Sequence, residues 1–113
     1  MSVVLYHNPK CSTSRNALAL LCEQGVEPTV VDYLKTGWDR ETLERLASRT
    51  GLGLSRLLRK KEADAKALLD AGADDEAILA AAIAQPILIE RPIVETDKGA
   101  VIGRPVERVL EVL

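Results

Sequence analysis

The first 33 residues constrain the fold more than any other part of the chain. Residues 3–6 form a short apolar run with two β-branched side chains, which is typical of a buried strand. Residues 12–24 repeat apolar side chains at helical spacing, and Gly25 predicts a left-handed stop to that helix. Residues 29–33 form a second strand-like run. Because strand, helix and strand follow one another so closely, we predict a βαβ unit with parallel strands.

The middle of the chain, residues 39–84, has the pattern of successive helices. Asp39 and Asp74 stand where helix N-caps belong, and Gly51 predicts the end of the helix that follows Asp39. The further helical segments that we predict are residues 55–60, 62–70 and 75–84. This stretch therefore reads as a helical insert.

The last part of the chain returns to strands. Residues 93–96 and 100–103 are strand-like and are joined by a turn that contains Gly99, which predicts an antiparallel hairpin. Pro105 suits the first turn of a final helix. The predicted apolar stripe of that helix is Val106, Val109, Leu110 and Leu113. The order β-α-β, helical insert, β-β-α is that of the thioredoxin fold, so we predict a single α/β domain over residues 1–113 with a mixed sheet and an insert at about 39–84.

Size, charge and cysteine content narrow the function classes. A chain of 113 residues suits one domain, and a formal net charge of −2 gives no general attraction to nucleic acid. No apolar run approaches the roughly 20 residues of a membrane span, and Met1 leads almost directly into a strand, so we expect a cytoplasmic protein. No exposed apolar strip is obvious, and we expect a monomer. Cys22 falls on the apolar stripe of the first helix, where we expect a structural role.

Cys11 lies at the predicted start of the first helix. There the N–H groups of Ser12, Thr13 and Ser14 lack helical acceptors, so they would stabilise a thiolate and favour a bound oxyanion. A thioredoxin-like dithiol needs C-x-x-C, but position 14 is serine, and the C-x5-R of phosphatase-like loops is excluded by Ala17. Redox chemistry at Cys11 would therefore need a thiol from another molecule. The alternative is a buried structural cysteine.

Four side chains could supply positive charge near Cys11. His7 would lower the pKa of the thiol if it were an imidazolium; alternatively, it is a loop histidine with a local hydrogen bond. Arg91 and Arg104 each precede a proline and flank the hairpin, where their guanidinium groups could bind an oxyanion bidentately. Arg59 belongs to an RKK run, which is more typical of a solvated face.

The chain resembles the glutaredoxin-linked arsenate reductases, the ArsC family, in the segments HNPKCSTSRNALALL, GVEPTVVDYL, LLRK, PILIERPIV and GRP. The resemblance runs from residue 3 to the C-terminus. It implies a thioredoxin-like core with an extra helical region. It also implies that Cys11 is the catalytic cysteine, that His7 favours the thiolate, and that Arg59, Arg91 and Arg104 bind the oxyanion.

The resemblance further implies the reaction. Arsenate would be the substrate, glutathione a co-substrate that supplies the second thiol, and glutaredoxin the source of the third, with no metal and no tightly bound cofactor. Some members of the family have glycine where this chain has Ser12, which adds a side chain beside the thiolate. Two alternatives stay open: another glutathione-dependent reductase, or a regulator that binds RNA polymerase, although such relatives usually carry C-x-x-C and this chain has C-x-x-S.

Overall fold

The computed structural model describes residues 2–113, which fall into two compact units. Residues 2–36 and 91–113 form the first, which contains the sheet. Gly37–Glu90 form the second, which is helical. The helical unit is somewhat longer at both ends than the predicted insert of residues 39–84. The single domain of residues 1–113 stays a prediction.

The sheet unit contains four strands and two α-helices. They are β1 (Val4–His7), α1 (Ser12–Glu23), β2 (Thr29–Asp32), α2 (Tyr33–Thr36), β3 (Ile93–Thr96) and β4 (Gly99–Ile102). The strand order is β2-β1-β3-β4; β1 is parallel to β2 and antiparallel to β3, and β3 is antiparallel to β4. The predicted βαβ unit, the hairpin and the mixed α/β sheet are confirmed.

The core of the sheet unit is aliphatic. Alternate residues of the strands face α1 and the C-terminal 3₁₀ helix (Val106–Val112), because successive side chains in a strand point to opposite faces. The buried cluster consists of Val3, Leu5, Ala17, Leu21, Val94, Val101, Val109 and Val112. Burial of this apolar surface, at about 25 cal/mol per Å², is the main force that holds α1 and the C-terminal helix to the sheet.

The C-terminal helix differs from the prediction in its period. A 3₁₀ helix has three residues per turn, so its inward positions recur every third residue, at Val106, Val109 and Val112. The predicted stripe assumed a period near 3.6 and included Leu110. Leu110 is 41% exposed, whereas Val112 is 8% exposed. The prediction for Leu110 is therefore wrong.

Helix α1 ends as predicted but places Cys22 differently. Gly25 adopts φ +76°, and its N–H donates to the Cys22 carbonyl at 3.0 Å, which closes the helix. Ala17 and Leu21, four residues apart, are fully buried on one face. Cys22 is exposed, because each residue turns about 100° around the helix from the one before it. The expected place of Cys22 on the apolar stripe is wrong.

The helical unit confirms the predicted caps and the predicted helices over residues 62–70 and 75–84. The predicted helical segment 55–60 is wrong beyond Leu57, because Leu58 is extended and forms a bridge with Ile89. Its elements are the 3₁₀ turns Ser55–Leu57 and Pro86–Leu88 and the helices α3 (Arg40–Thr50), α4 (Ala63–Asp70) and α5 (Asp75–Ala84). The Asp39 carboxylate accepts the Thr42 N–H at 2.7 Å, and the Asp74 carboxylate accepts the Ala77 N–H at 2.9 Å. Across residues 2–113, none of the helices combines the length and the apolar character that crossing a bilayer would require.

Candidate active site

A tight loop sets Cys11 at the start of α1. Strand β1 ends at His7, and the Cys11 N–H donates to the carbonyl of Asn8 at 3.0 Å. The Asn8 side-chain oxygen accepts the Lys10 N–H at 3.0 Å, which folds the loop back on itself. Cys11 has extended N-cap geometry, φ −95° and ψ 122°, and its carbonyl accepts the Arg15 N–H at 3.0 Å. The half-buried sulfur is therefore fixed beside the first amides of α1.

Asn8 was not singled out in the sequence, although it is buried and shapes this loop. Its main-chain N–H donates to the Ser14 hydroxyl oxygen at 3.1 Å. Asparagine before proline is a common turn signal, and that signal was available in the HNP segment.

Ser14 and His7 form a buried polar pair. Ser14 is fully buried, and its Oγ lies 2.6 Å from Nδ1 of His7. Burial lowers the pKa of His7; Asp32, its partner on β2, acts in the opposite direction, and Arg15 adds to the lowering. A neutral imidazole with a local hydrogen bond therefore fits His7 better than an imidazolium. His7 contacts Ser14, the third residue of α1, and is not among the groups that lower the pKa of Cys11.

The pKa of the Cys11 thiol is lowered. Burial by itself would raise it, since a thiolate is poorly solvated away from water, but N–H donors near the sulfur and positive charge together outweigh that effect. The lowering contributions are, in order, the Ser14 N–H, the Arg91 side chain, the charge of Arg104 and the Thr13 N–H. The sulfur is thus held closer to its nucleophilic, ionised form than an ordinary thiol is.

Two arginines flank the sulfur from the hairpin. Nη2 of Arg104 lies 3.4 Å from Sγ of Cys11, and Nε of Arg104 donates to the carbonyl of Arg91 at 2.7 Å. Within residues 2–113, Nε and Nη1 of Arg91 are buried without a hydrogen-bond partner. Ile93 pairs with Ile102, so Arg91 and Arg104 lie at the same end of the hairpin, as the regular ladder predicted. The peptide bonds that follow both arginines, to Pro92 and Pro105, are cis.

Gly103, which precedes Arg104, is required for this arrangement. A Cβ at position 103 would lie 2.9 Å from Cγ1 of Val109 and 3.0 Å from Cγ of Pro92. The Gly103 N–H also donates to the carbonyl of Pro92 at 2.9 Å. The glycine therefore lets the two ends of the hairpin approach closely enough for Arg104 to bond to Arg91.

Arg59 lies in the helical unit and is paired there. Its N–H donates to the carbonyl of Leu88, and the Glu90 N–H donates to the carbonyl of Leu57, both at 2.7 Å. Nη1 of Arg59 lies 3.0 Å from Oε1 of Glu90, and the Arg59 side chain is 14% exposed. The two lysines that follow it are exposed, as expected of a solvated RKK run, but Arg59 is not. Sequence reasoning missed Glu90.

The sheet unit therefore brings most of the predicted site residues together. Cys11 has Thr13, Ser14, Arg91 and Arg104 as direct influences on its thiol. Ser12 is exposed at the first position of α1. A thiol with a lowered pKa beside two guanidinium groups can attack an electrophile that carries negative oxygens. Residues 2–113 contain no group of three or more His, Cys, Asp or Glu side chains that could hold a metal ion.

Comparison with known proteins identifies relatives over the full length of the chain. A sequence profile described as the ArsC family matches residues 6–112. The arsenate reductase of Rhizobium meliloti is 43% identical over 100% of this chain and 82% of its own length. The uncharacterized protein YfgD of Escherichia coli is 47% identical over 98% of this chain and 96% of its own length. A solved structure described as an arsenate reductase from Vibrio cholerae superposes with a TM-score of 0.92, with 49% identity over 100% of this chain and 98% of that one.

Proposed function

The chain belongs to the ArsC family, and on that premise we propose that it reduces arsenate to arsenite with Cys11 as the nucleophile. The Rhizobium and Vibrio relatives, both named arsenate reductases, support the substrate. The observation that carries the proposal is the pair of guanidinium groups at the Cys11 thiol, in which Nε and Nη1 of Arg91 find no acceptor within residues 2–113. Buried donors without acceptors are costly, and an arsenate oxygen would provide the acceptor.

Arsenate is a tetrahedral oxyanion, and the start of α1 offers what such an anion needs. The first N–H groups of the helix, at Ser12, Thr13 and Ser14, would donate to its oxygens. Arg91 and Arg104 would add charge-assisted hydrogen bonds. Arg59 is included as the third arginine because its LLRK segment resembles the family motif.

In the first chemical step, the Cys11 thiolate attacks arsenic. One arsenate oxygen leaves as water after it has taken up protons, and a covalent bond forms between arsenic(V) and sulfur. This is nucleophilic catalysis by a thiol whose lowered pKa increases the thiolate fraction near neutral pH. The arginines would stabilise the negative charge of the oxygens as the bond forms.

The reducing electrons would come from two thiols outside the chain. Glutathione displaces a second oxygen as water, so that arsenic bridges the Cys11 sulfur and the glutathione sulfur. A glutaredoxin thiolate then attacks the glutathione sulfur, and the resulting disulfide leaves an electron pair on arsenic, which becomes arsenic(III). Water releases arsenite, and Cys11 regains its thiol. Ser14 supports this borrowed-thiol scheme, because it stands where a C-x-x-C protein has its resolving cysteine.

Three further expectations accompany the proposal. Glutathione acts as a co-substrate rather than as a tightly bound cofactor. The protein is a monomer. It works in the cytoplasm, where glutathione keeps thiols reduced.

The test is an assay of arsenite formation with arsenate, glutathione and glutaredoxin, in which each is omitted in turn. We expect each omission to abolish turnover. Full activity without glutathione would contradict the borrowed-thiol scheme, whereas no arsenite with all three present would contradict the arsenate reductase assignment. Recovery of RNA polymerase from a lysate by an inactive protein would favour the regulator instead.

A further inference from the structure

Glu90 and Arg59 form an ion pair that the proposed chemistry does not use. Nη1 of Arg59 lies 3.0 Å from Oε1 of Glu90, with side chains 14% and 23% exposed. The two residues are 31 positions apart, so tertiary structure rather than helical spacing brings them together. An arginine proposed to bind an oxyanion thus already has a carboxylate as a neighbour.

This pair differs from the surface ion pairs of the same chain. Every side chain is at least 45% exposed in the pairs Arg40–Glu44, Lys66–Asp70 and Arg108–Glu111. Those pairs join residues three or four positions apart; Arg40 also pairs with Glu76, 36 positions away, with both side chains at least 56% exposed. Exposed pairs order their side chains only weakly. The carboxylate of Glu90, in contrast, meets an arginine that has little contact with solvent.

The main chain on both sides of the pair is fixed. Leu58 and Ile89 form an antiparallel bridge. Hydrogen bonds of 2.7 Å from the Arg59 N–H to Leu88 and from the Glu90 N–H to Leu57 flank that bridge. The freedom that remains to Arg59 is therefore in its side-chain torsions, which Glu90 restrains at one nitrogen. A guanidinium group has five N–H donors, so this contact leaves donors for a second acceptor.

We propose that Glu90 is a positioning residue for Arg59: its carboxylate holds one guanidinium nitrogen and so orders the remaining donors for an oxyanion before the oxyanion binds. The inference rests on the proposed function, in which Arg59 contacts arsenate. Ordering in advance removes part of the side-chain entropy that binding would otherwise cost. If the Glu90 carboxylate instead competed with arsenate for Arg59, removing it would lower the KM for arsenate.

The experiment compares arsenate KM and kcat among Glu90→Ala, Glu90→Gln and the wild type, with Asp70→Ala as the matched loss of an exposed ion-pair carboxylate. We expect Glu90→Ala to raise KM about threefold to fivefold with kcat little changed, the size of a partly exposed ion-pair interaction. Glu90→Gln retains an acceptor for Nη1 and should keep KM closer to the wild-type value. Asp70→Ala should leave both constants unchanged. Circular dichroism melting identifies any variant that fails to fold. If Glu90→Ala fails to fold, Glu90→Gln is compared with the wild type in its place.

The same substitution in an Arg59→Ala background separates positioning from general packing. There Glu90→Ala should add no further rise in KM, because the residue on which it acts is gone. An equal rise in that background, or an unchanged or lower KM for Glu90→Ala in the wild-type background, would overturn the inference. Failure of the proposed function shows differently: the wild-type protein itself would form no arsenite, and both proposals would fall.

Discussion

Two helices of the helical unit, α3 and α5, begin differently from α1 of the sheet unit. In the helical unit, α3 and α5 begin at Asp39 and Asp74, whose carboxylates accept a main-chain N–H three residues on. In the sheet unit, α1 begins at Cys11, which makes no side-chain cap hydrogen bond within residues 2–113. In α3 and α5 a first-turn N–H thus has a carboxylate acceptor, whereas in α1 the N–H groups of Thr13 and Ser14 lower the pKa of the Cys11 thiol, although burial acts against them.

The charges near the start of α1 also differ from those near the starts of α3 and α5. Glu41 lies in the first turn of α3, and Asp75 and Glu76 lie in that of α5, where acidic groups complement the positive end of the helix dipole. The first turn of α1 begins with Ser-Thr-Ser, and the charged groups that act on Cys11 are the cations of Arg91 and Arg104. Helix α4 also lacks a side-chain cap, but it has Asp64 in its first turn. Helix α1 has neither a side-chain cap nor an acidic residue in its first turn, and the candidate nucleophile lies at its start.

The largest expected effect distinguishes the two cysteines. Cys11→Ser should lower arsenate turnover at least about a thousandfold, because it removes the nucleophile while leaving a residue that caps helices well. Its melting temperature should not fall. Cys22→Ser, on the exposed side of the same helix, is the matched control and should retain full turnover. Substantial turnover by Cys11→Ser would show that Cys11 is not the nucleophile.

The next effect concerns Arg104, one of the two arginines that act on Cys11 at the start of α1, where α3 and α5 have acidic side chains instead. Arg104→Ala should lower turnover with arsenate about a hundredfold, the typical loss when one donor to a developing oxyanion is removed. Arg108→Ala removes an exposed guanidinium that pairs with Glu111 and is the matched control. Steady-state kinetics of both variants provide the check. Equal losses would indicate a general effect of net charge rather than a site at Cys11.

The smallest effect lies in the helical unit. Asp39→Ala removes the acceptor for the Thr42 N–H and should lower the free energy of unfolding by about 1 kcal/mol. Arsenate turnover should not change, since this cap serves stability. Urea denaturation measures the first quantity and the arsenite assay the second. A large loss of turnover at unchanged stability would contradict the expectation that the Asp39 cap serves stability alone.

Much of this architecture could be predicted from the sequence, for identifiable reasons. Asp39, Asp74 and Gly51 carry local capping signals that need no tertiary information. The meeting of Arg91 and Arg104 follows from a hairpin whose short turn fixes its register.

Other features could not be predicted, because their causes are not local. Over a helix of only seven residues, apolar positions fit a period of 3.0 as well as 3.6, so Leu110 was assigned to the stripe instead of Val112. The pairing of Arg59 with Glu90 spans 31 positions and has no sequence periodicity behind it. The neutral state favoured for His7 depends on its burial, which a loop motif does not reveal.

The lowered pKa of Cys11 makes both stability and turnover depend on pH. A folded-state pKa below that of the unfolded thiol means that the native protein binds fewer protons between the two values. The contribution of Cys11 to stability is therefore fully present above the unfolded pKa and is lost as the pH falls through the folded one. Turnover should fall over the same range, as the thiolate is protonated.

The most direct test is a titration of the Cys11 thiolate by ultraviolet absorbance in the Cys22→Ser variant, which leaves a single thiol. We predict a midpoint below the value of about 8.5 for a free thiol. The midpoint should move upward when Arg104→Ala is added, since a cation 3.4 Å from the sulfur is then lost. A midpoint at or above that of a free thiol, unmoved by Arg104→Ala, would contradict the account.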